Sequence, residues 1–195
     1  MDGARNDCAS IFRFQRVADM KSIMTNRTPV LYIFAGLPGT GKSTIAQGLA
    51  RKIDCAYLRI DTIEQALRDL CGVDVEGEGY RLAYRIASDN LRAGKSVVAD
   101  SCNPIALTRD EWQDVALQGG LTFVNIEITC SDQTEHRARV ESRDVNVQNL
   151  LLPTWQQVED REYHPWTSDR IVIDTVGKTP QNCVEELLER LGSED

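Results

Sequence analysis

The chain has 195 residues, 42% of them hydrophobic, with a formal net charge of -8 and a sequence pI near 4.9. That length suits one globular domain with its own core rather than two. The acidic balance speaks against nucleic acid or an anionic membrane surface as a partner, because both are gripped through basic patches.

Residues 1–28 mix Asp2, Arg5, Asp7, Arg13, Arg16, Asp19 and Lys21 without the apolar stretch of a signal peptide. They read as an N-terminal extension: an appended helix, a partner-binding arm or a disordered tail. Val30 to Ala35 is a short run of strand formers bounded by Gly36 and predicts a buried parallel strand. A helix is expected over Lys42 to Lys52. The stretch AYLRI (Ala56 to Ile60) predicts a second strand leading into Asp61, and Ile63, Ala66, Leu67 and Leu70 then fall on one helical face.

Cys71 to Gly79 holds three glycines and predicts a loop. Tyr80 to Ala93 predicts a helix ended by Gly94, and Ser96 to Asp100 a third strand. Asn103-Pro104 has the form of a cap followed by a first-turn proline. Leu121 to Ile128 and Arg170 to Asp174 predict two more strands, and Val184, Leu187, Leu188 and Leu191 a closing helix. Strands alternating with helices predict an α/β fold with a parallel sheet covered on both faces. The polar stretch Ser131 to Ser168 is too long for a simple crossover and predicts a lid. No run reaches the length of a transmembrane helix. The six cysteines contain no C-x-x-C pair, so reduced thiols in a cytoplasmic protein are expected.

Gly36-Leu37-Pro38-Gly39-Thr40-Gly41-Lys42-Ser43 matches G-x-x-x-x-G-K-[ST] in full, after a predicted strand and before a predicted helix. Its glycines permit a loop whose N–H groups point at phosphate oxygens, and the helix N-terminus adds partial positive charge. Lys42 is placed to reach the β- and γ-phosphates, Ser43 to meet Mg²⁺, and Thr44 to bond a phosphate nearer the base. Asp100, after Val97-Val98-Ala99, is the expected second Mg²⁺ residue.

Asp61 has two readings. With Glu64 three residues on, it has capping-box spacing. At a strand end beside bound phosphates, it is also placed to take a proton from an attacking hydroxyl. In the lid, Asp132 and Glu135 again have capping-box spacing, and Arg139 and Arg143 lie four apart as a candidate phosphoryl clamp, with Arg137 in reserve. A solvated face balanced by Glu135 and Glu141 is the alternative. Arg81 and Arg85 are candidate contacts to an acidic acceptor, which is expected between Asp61, the 71–84 region and the lid. His136, His164, Trp112, Trp155, Tyr163 and Trp166 are expected to be structural or surface groups.

From about Val30 onward the chain resembles the small AAA-type P-loop kinases, related to the polynucleotide 5'-kinase and zeta-toxin/chloramphenicol phosphotransferase groups. The resemblance rests on GLPGTGKST, LRIDTIEQALR, VVADSCNP with TRDEW after it, and EHRARVESRD. It implies a three-layer P-loop fold with strand order 2-3-1-4-5, a kinase domain over residues 29–195 and a lid at about 131–168. It also implies ATP at Gly36 to Thr44, adenine near Thr175 to Lys178, a substrate-side Asp61, Asp100 at strand three, and Arg139 and Arg143 in the lid.

Members often carry an arginine three residues after the strand-two aspartate. Here Glu64 stands there and argues against a polynucleotide acceptor. Ser43-Thr44 differs from the Gly-Thr of adenylate-kinase-like chains, and Arg59-Ile60-Asp61 from the Asp-Gly-Asp of adenylylsulfate-kinase-like chains. The expected activity is ATP- and Mg²⁺-dependent phosphorylation of a small-molecule hydroxyl. The rivals are a polynucleotide 5'-hydroxyl kinase and a regulatory ATP-binding switch.

Overall fold

A computed structural model describes residues 28–144 and 147–192. The expected N-terminal extension lies outside them apart from Thr28. Five strands form the sheet: β1 (Val30–Ala35), β2 (Ala56–Arg59), β3 (Val97–Asp100), β4 (Thr122–Thr129) and β5 (Ile171–Asp174). All neighbouring pairs are parallel, in the order β2-β3-β1-β4-β5.

Successive side chains of a strand point to opposite faces. Leu31 and Ile33 of β1 therefore face one layer, with Ala83, Ala87, Leu91 and Trp112, while Phe34 faces the other, with Ile45, Leu49, Val184 and Leu187. The first layer is helices α3 (Glu78–Arg92) and α4 (Ala106–Leu117), beside α2 (Ile60–Cys71). The second is α1 (Lys42–Lys52) and α7 (Pro180–Leu191). Each fully buried Leu, Ile or Phe contributes about 1.5–3 kcal/mol by leaving water. Helices α5 (Gln133–Ser142) and α6 (Trp155–Glu159) lie in the segment read as a lid.

The parallel register brings three chain positions into one row at the carboxyl edge, since Asp100 pairs with both Phe34 and Arg59. Ligands of open parallel sheets gather at this edge. Two local expectations fail here. Helix α2 starts directly after β2, with Arg59 at its N-cap, so Asp61 falls in the first turn and does not cap. Helix α4 starts at Ala106, after an N-cap at Ile105, so Asn103 does not cap it. Asn103 instead takes a left-handed backbone conformation (φ 44°) and its Nδ2 donates to the carbonyl of Phe34 at 2.7 Å. Satisfying the exposed end of β1 outcompetes the local cap.

Candidate active site

The loop between β1 and α1 turns through Gly36, Gly39 and Gly41 at φ 143°, 90° and 92°. A side chain at Gly36 would strike the Ile128 carbonyl, and one at Gly39 would strike Val140 of α5. The cradle is thus closed both by the sheet and by the lid. Gly36 N–H also donates to the Cys102 carbonyl at 3.1 Å. The strap after β3 therefore holds the cradle from beneath.

Lys42 is buried and its Nζ lies 2.7 Å from Asp100 Oδ1. Tyr57 of β2 donates its hydroxyl to Asp100 Oδ2 at 2.6 Å. Burial pushes the Asp100 carboxyl up, but the Lys42 ammonium and bonds from Lys42, Tyr57 and Ser43 outweigh it and hold it below its ordinary range. Burial likewise pulls Lys42 down, and Asp100, then Asp61, outweigh it and raise it. Both directions favour a charged pair. Burial, then Asp100, pushes the Tyr57 phenol up, so it remains a donor.

Asp61 accepts from Arg59 at 3.3 Å and its side chain is 45% exposed. Glu64 pairs with Arg68 at 3.4 Å on the same helix. Across from them, His136 Nε2 donates to the Pro38 carbonyl at 2.9 Å while its ring meets Trp155 edge-on. Asp132 caps α5 by accepting from Glu135 N–H at 2.9 Å. Glu135 does not complete a capping box; it pairs with Arg139.

Arg139 also donates to the Thr175 hydroxyl at 2.7 Å and to its carbonyl at 3.0 Å. The Thr175 hydroxyl donates in turn to the Thr40 carbonyl at 3.0 Å. Lid, cradle and the loop after β5 are so tied together. Arg143 follows the last turn of α5 with extended backbone. Its Nε and one terminal nitrogen are buried without a hydrogen-bond partner. Burial pulls its pKa down, and Asp61 partly restores it.

Lys42, Arg59, Asp61, Glu64, Arg139 and Arg143 line one cleft of about 860 Å³ between the cradle, α2 and the lid. A smaller cavity of about 240 Å³ adjoins it, lined by Thr44, Ile45, Arg139, Thr175 and Lys178. Arg139 borders both spaces and faces the side where adenine was expected; Arg143 borders only the larger.

Every residue of the predicted cradle except Thr40 lines the main cleft, together with Asp61, Arg139 and Arg143. Asp100 sits beneath, under Lys42. Arg137 pairs outward with Glu141 at 2.8 Å. Arg81 and Arg85 are exposed and do not line the cleft, nor does any residue of 71–84. Opposite the cradle the cleft is instead bounded by α2 and the lid. Residues the sequence did not single out are Tyr57, Arg59, Arg68, Cys102 and Arg161, while His136 is buried in a bond to the Pro38 carbonyl, within the expected structural reading. For His136 a signal existed: with Arg139 and Val140 it falls at i, i+3 and i+4, one helix face.

Residues 31–161 match the family model described as an AAA domain. The chain belongs to that family. It is a small AAA-type P-loop kinase domain, and its sheet order is the one the resemblance implies. It is 30% identical over 157 residues to the "Putative adenylate kinase" of Thermococcus gammatolerans, covering 79% of this chain and 81% of that one. It is 26% identical over 166 residues to the protein of the same name from Pyrococcus furiosus, covering 84% and 85%.

Among solved structures, the adenylylsulfate (APS) kinase of Mycobacterium tuberculosis, in complex with AMPPNP and APS, aligns with a TM-score of 0.63 at 19% identity, covering 85% of this chain and 98% of that one. A gluconokinase from Sinorhizobium meliloti aligns at 0.59 and 20% identity, covering 86% and 94%. At these identities the two structures show the fold. The name of the curated relatives contrasts with the Ser43-Thr44 dipeptide, which had set the chain apart from adenylate-kinase-like sequences.

Proposed function

We propose that this domain transfers the γ-phosphoryl group of ATP to a hydroxyl of a small molecule, with Mg²⁺. The observation that carries the reading is the half-exposed Asp61 carboxylate opening into the same cleft as Lys42 and the cradle. The acceptor oxygen bonds to the γ-phosphorus as the bond to the β–γ bridging oxygen breaks. Asp61 takes the hydroxyl proton, and ADP leaves.

Lys42 and the loop N–H groups hold the phosphates, while Arg143 faces the larger cleft with unmet donors and suits the transferring group. Arg139 holds the lid to the nucleotide side. Asp100 is ionised and bonded by Ser43, so the two residues fit Mg²⁺. Ser43 and Asp100 would hold that ion, which would supply positive charge against the charge developing on the phosphates. The five free cysteines among the described residues suit a reducing compartment, for which we propose the cytoplasm. Among the described residues no helix is long and apolar enough to cross a membrane.

A second reading has one observation in its favour, the name of the curated relatives: the acceptor is a nucleoside monophosphate. A phosphate acceptor brings no hydroxyl proton to remove, and the Asp61 carboxylate would repel it. An ATP-consumption screen over hydroxyl metabolites, with AMP included, separates the two. Turnover stimulated by a hydroxyl compound and lost in Asp61→Asn supports the first. AMP-stimulated turnover that survives Asp61→Asn supports the second.

A further inference from the structure

The chain has 22 basic and 30 acidic residues, yet its main cleft inverts that balance. Lys42, Arg59, Arg68, Arg139, Arg143 and Arg161 line it, against the carboxylates of Asp61, Glu64 and Asp144. Lys42, Arg139 and Arg143 are accounted for by ATP in the reading above. Arg59 is engaged by Asp61 at 3.3 Å and lies 4.0 Å from Asp100.

Arg161 differs. It is exposed, and it donates to the Cys102 sulfur at 3.9 Å. Among the described residues it makes no ion pair. Arg68, which lines the same cleft from α2, is paired with Glu64 at 3.4 Å and has 38% of its own side chain exposed. On the lid side the wall changes character. Leu150, Leu151, Leu152 and Pro153 form an apolar lip, and Leu151 is 91% exposed. Asn149 Nδ2 holds the lip over α2 by donating to Asp69 at 3.1 Å.

We infer that the acceptor is an anionic alcohol, its phosphate or carboxylate group taken by Arg161 and its apolar or ring-bearing body lying against Leu151. The inference rests on the phosphotransfer reading. A cleft built for a neutral sugar has no use for cations beyond those that hold ATP, and like-charged guanidinium groups gathered in one space repel until an anion joins them. Planar guanidinium forks match carboxylate and phosphate oxygens. A leucine side chain left in water beside them gains about 25 cal/mol per Å² when a ligand covers it. Glu64, paired with Arg68, therefore does not exclude an anionic acceptor.

The test uses the full chain loaded with Mg²⁺ and AMP-PNP, whose own binding is measured first by calorimetry. Failure of AMP-PNP to bind removes the phosphotransfer reading and this one with it. The loaded chain is then titrated with phenyl phosphate and benzoate, which separate phosphate from carboxylate, and with inorganic phosphate and acetate, which lack the ring. At least one ring-bearing anion is expected to bind, one per chain and at least threefold more tightly than its ringless counterpart. Arg161→Gln is expected to weaken it at least tenfold. Absence of binding by all four anions overturns the inference, as does wild-type affinity in Arg161→Gln. A loss of AMP-PNP affinity in that variant as large as the loss for the anion also overturns it, by moving Arg161 to the donor side. Equal affinity with and without the ring overturns the apolar half.

Discussion

The two halves of the cleft are built differently. On the cradle side five side chains are anchored within the protein: Lys42 and Tyr57 on Asp100, Asn103 on Phe34, His136 on Pro38, Arg139 on Thr175. Away from the cradle, Arg143 has buried nitrogens without partners where the transferring group is proposed to lie, Asp61 is half open and Leu151 stands in water. A self-satisfied half is pre-organised for a ligand common to many proteins. A half with unmet groups is completed by its substrate, so its specificity resides in what is missing.

The comparison can be broken most severely at Lys42. Lys42→Ala leaves the buried Asp100 without its counter-charge and the phosphates without their cation. Turnover is expected to fall at least 10³-fold, and wild-type turnover would remove the donor assignment. At Arg143, Arg143→Gln is expected to lower kcat by about 10²-fold or more, with a smaller change in the KM for ATP. Arg139→Gln is expected to do the reverse, raising the KM for ATP and lowering Tm, because it loosens the lid from Thr175. Equal effects of the two variants on kcat and KM would erase the difference drawn between them.

A milder probe is Tyr57→Phe, which deletes one hydrogen bond to Asp100. Lost stability of about 1.5–3 kcal/mol in denaturant unfolding is expected, as for bonds to charged groups. An unchanged midpoint would show that Tyr57 does not hold Asp100.

The smallest effect is on pH. Asp100 has a depressed folded pKa, so its contribution to stability is present above the ordinary carboxylate range and lost as pH falls through the folded value. Lys42 has a raised one, so its contribution is present below 10.5 and lost only as pH rises through the folded value. The pair should therefore add no slope to Tm between about pH 6 and 9. A slope that disappears in a double Lys42→Met, Asp100→Asn variant would contradict this.

The same asymmetry explains what could be read from the sequence. The cradle is contiguous, its glycines are demanded by backbone geometry, and the strand before it is a plain apolar run. The parallel alternation and the place of the cradle between β1 and α1 were therefore legible, while the strand order came with the family resemblance. Arg161 and Leu151 carry no local pattern; they reach the cleft only because the lid returns across the sheet edge. Asn103 misled for a related reason, since Asn-Pro has the form of a helix start but its amide serves the end of β1 instead. Asp61 and Glu64 had the spacing of a cap, which fails because α2 follows β2 with no intervening residue.

The central claim is transfer from ATP to a hydroxyl with Asp61 as the proton acceptor. It is tested most directly by ³¹P NMR of the full chain with ATP, Mg²⁺ and a panel of anionic alcohols. The account predicts a phosphate-ester resonance growing in step with ADP and slowed about 10²–10⁴-fold in Asp61→Asn, with ATP still bound. ADP and inorganic phosphate without an ester, or an ester formed at full rate by Asp61→Asn, would contradict it.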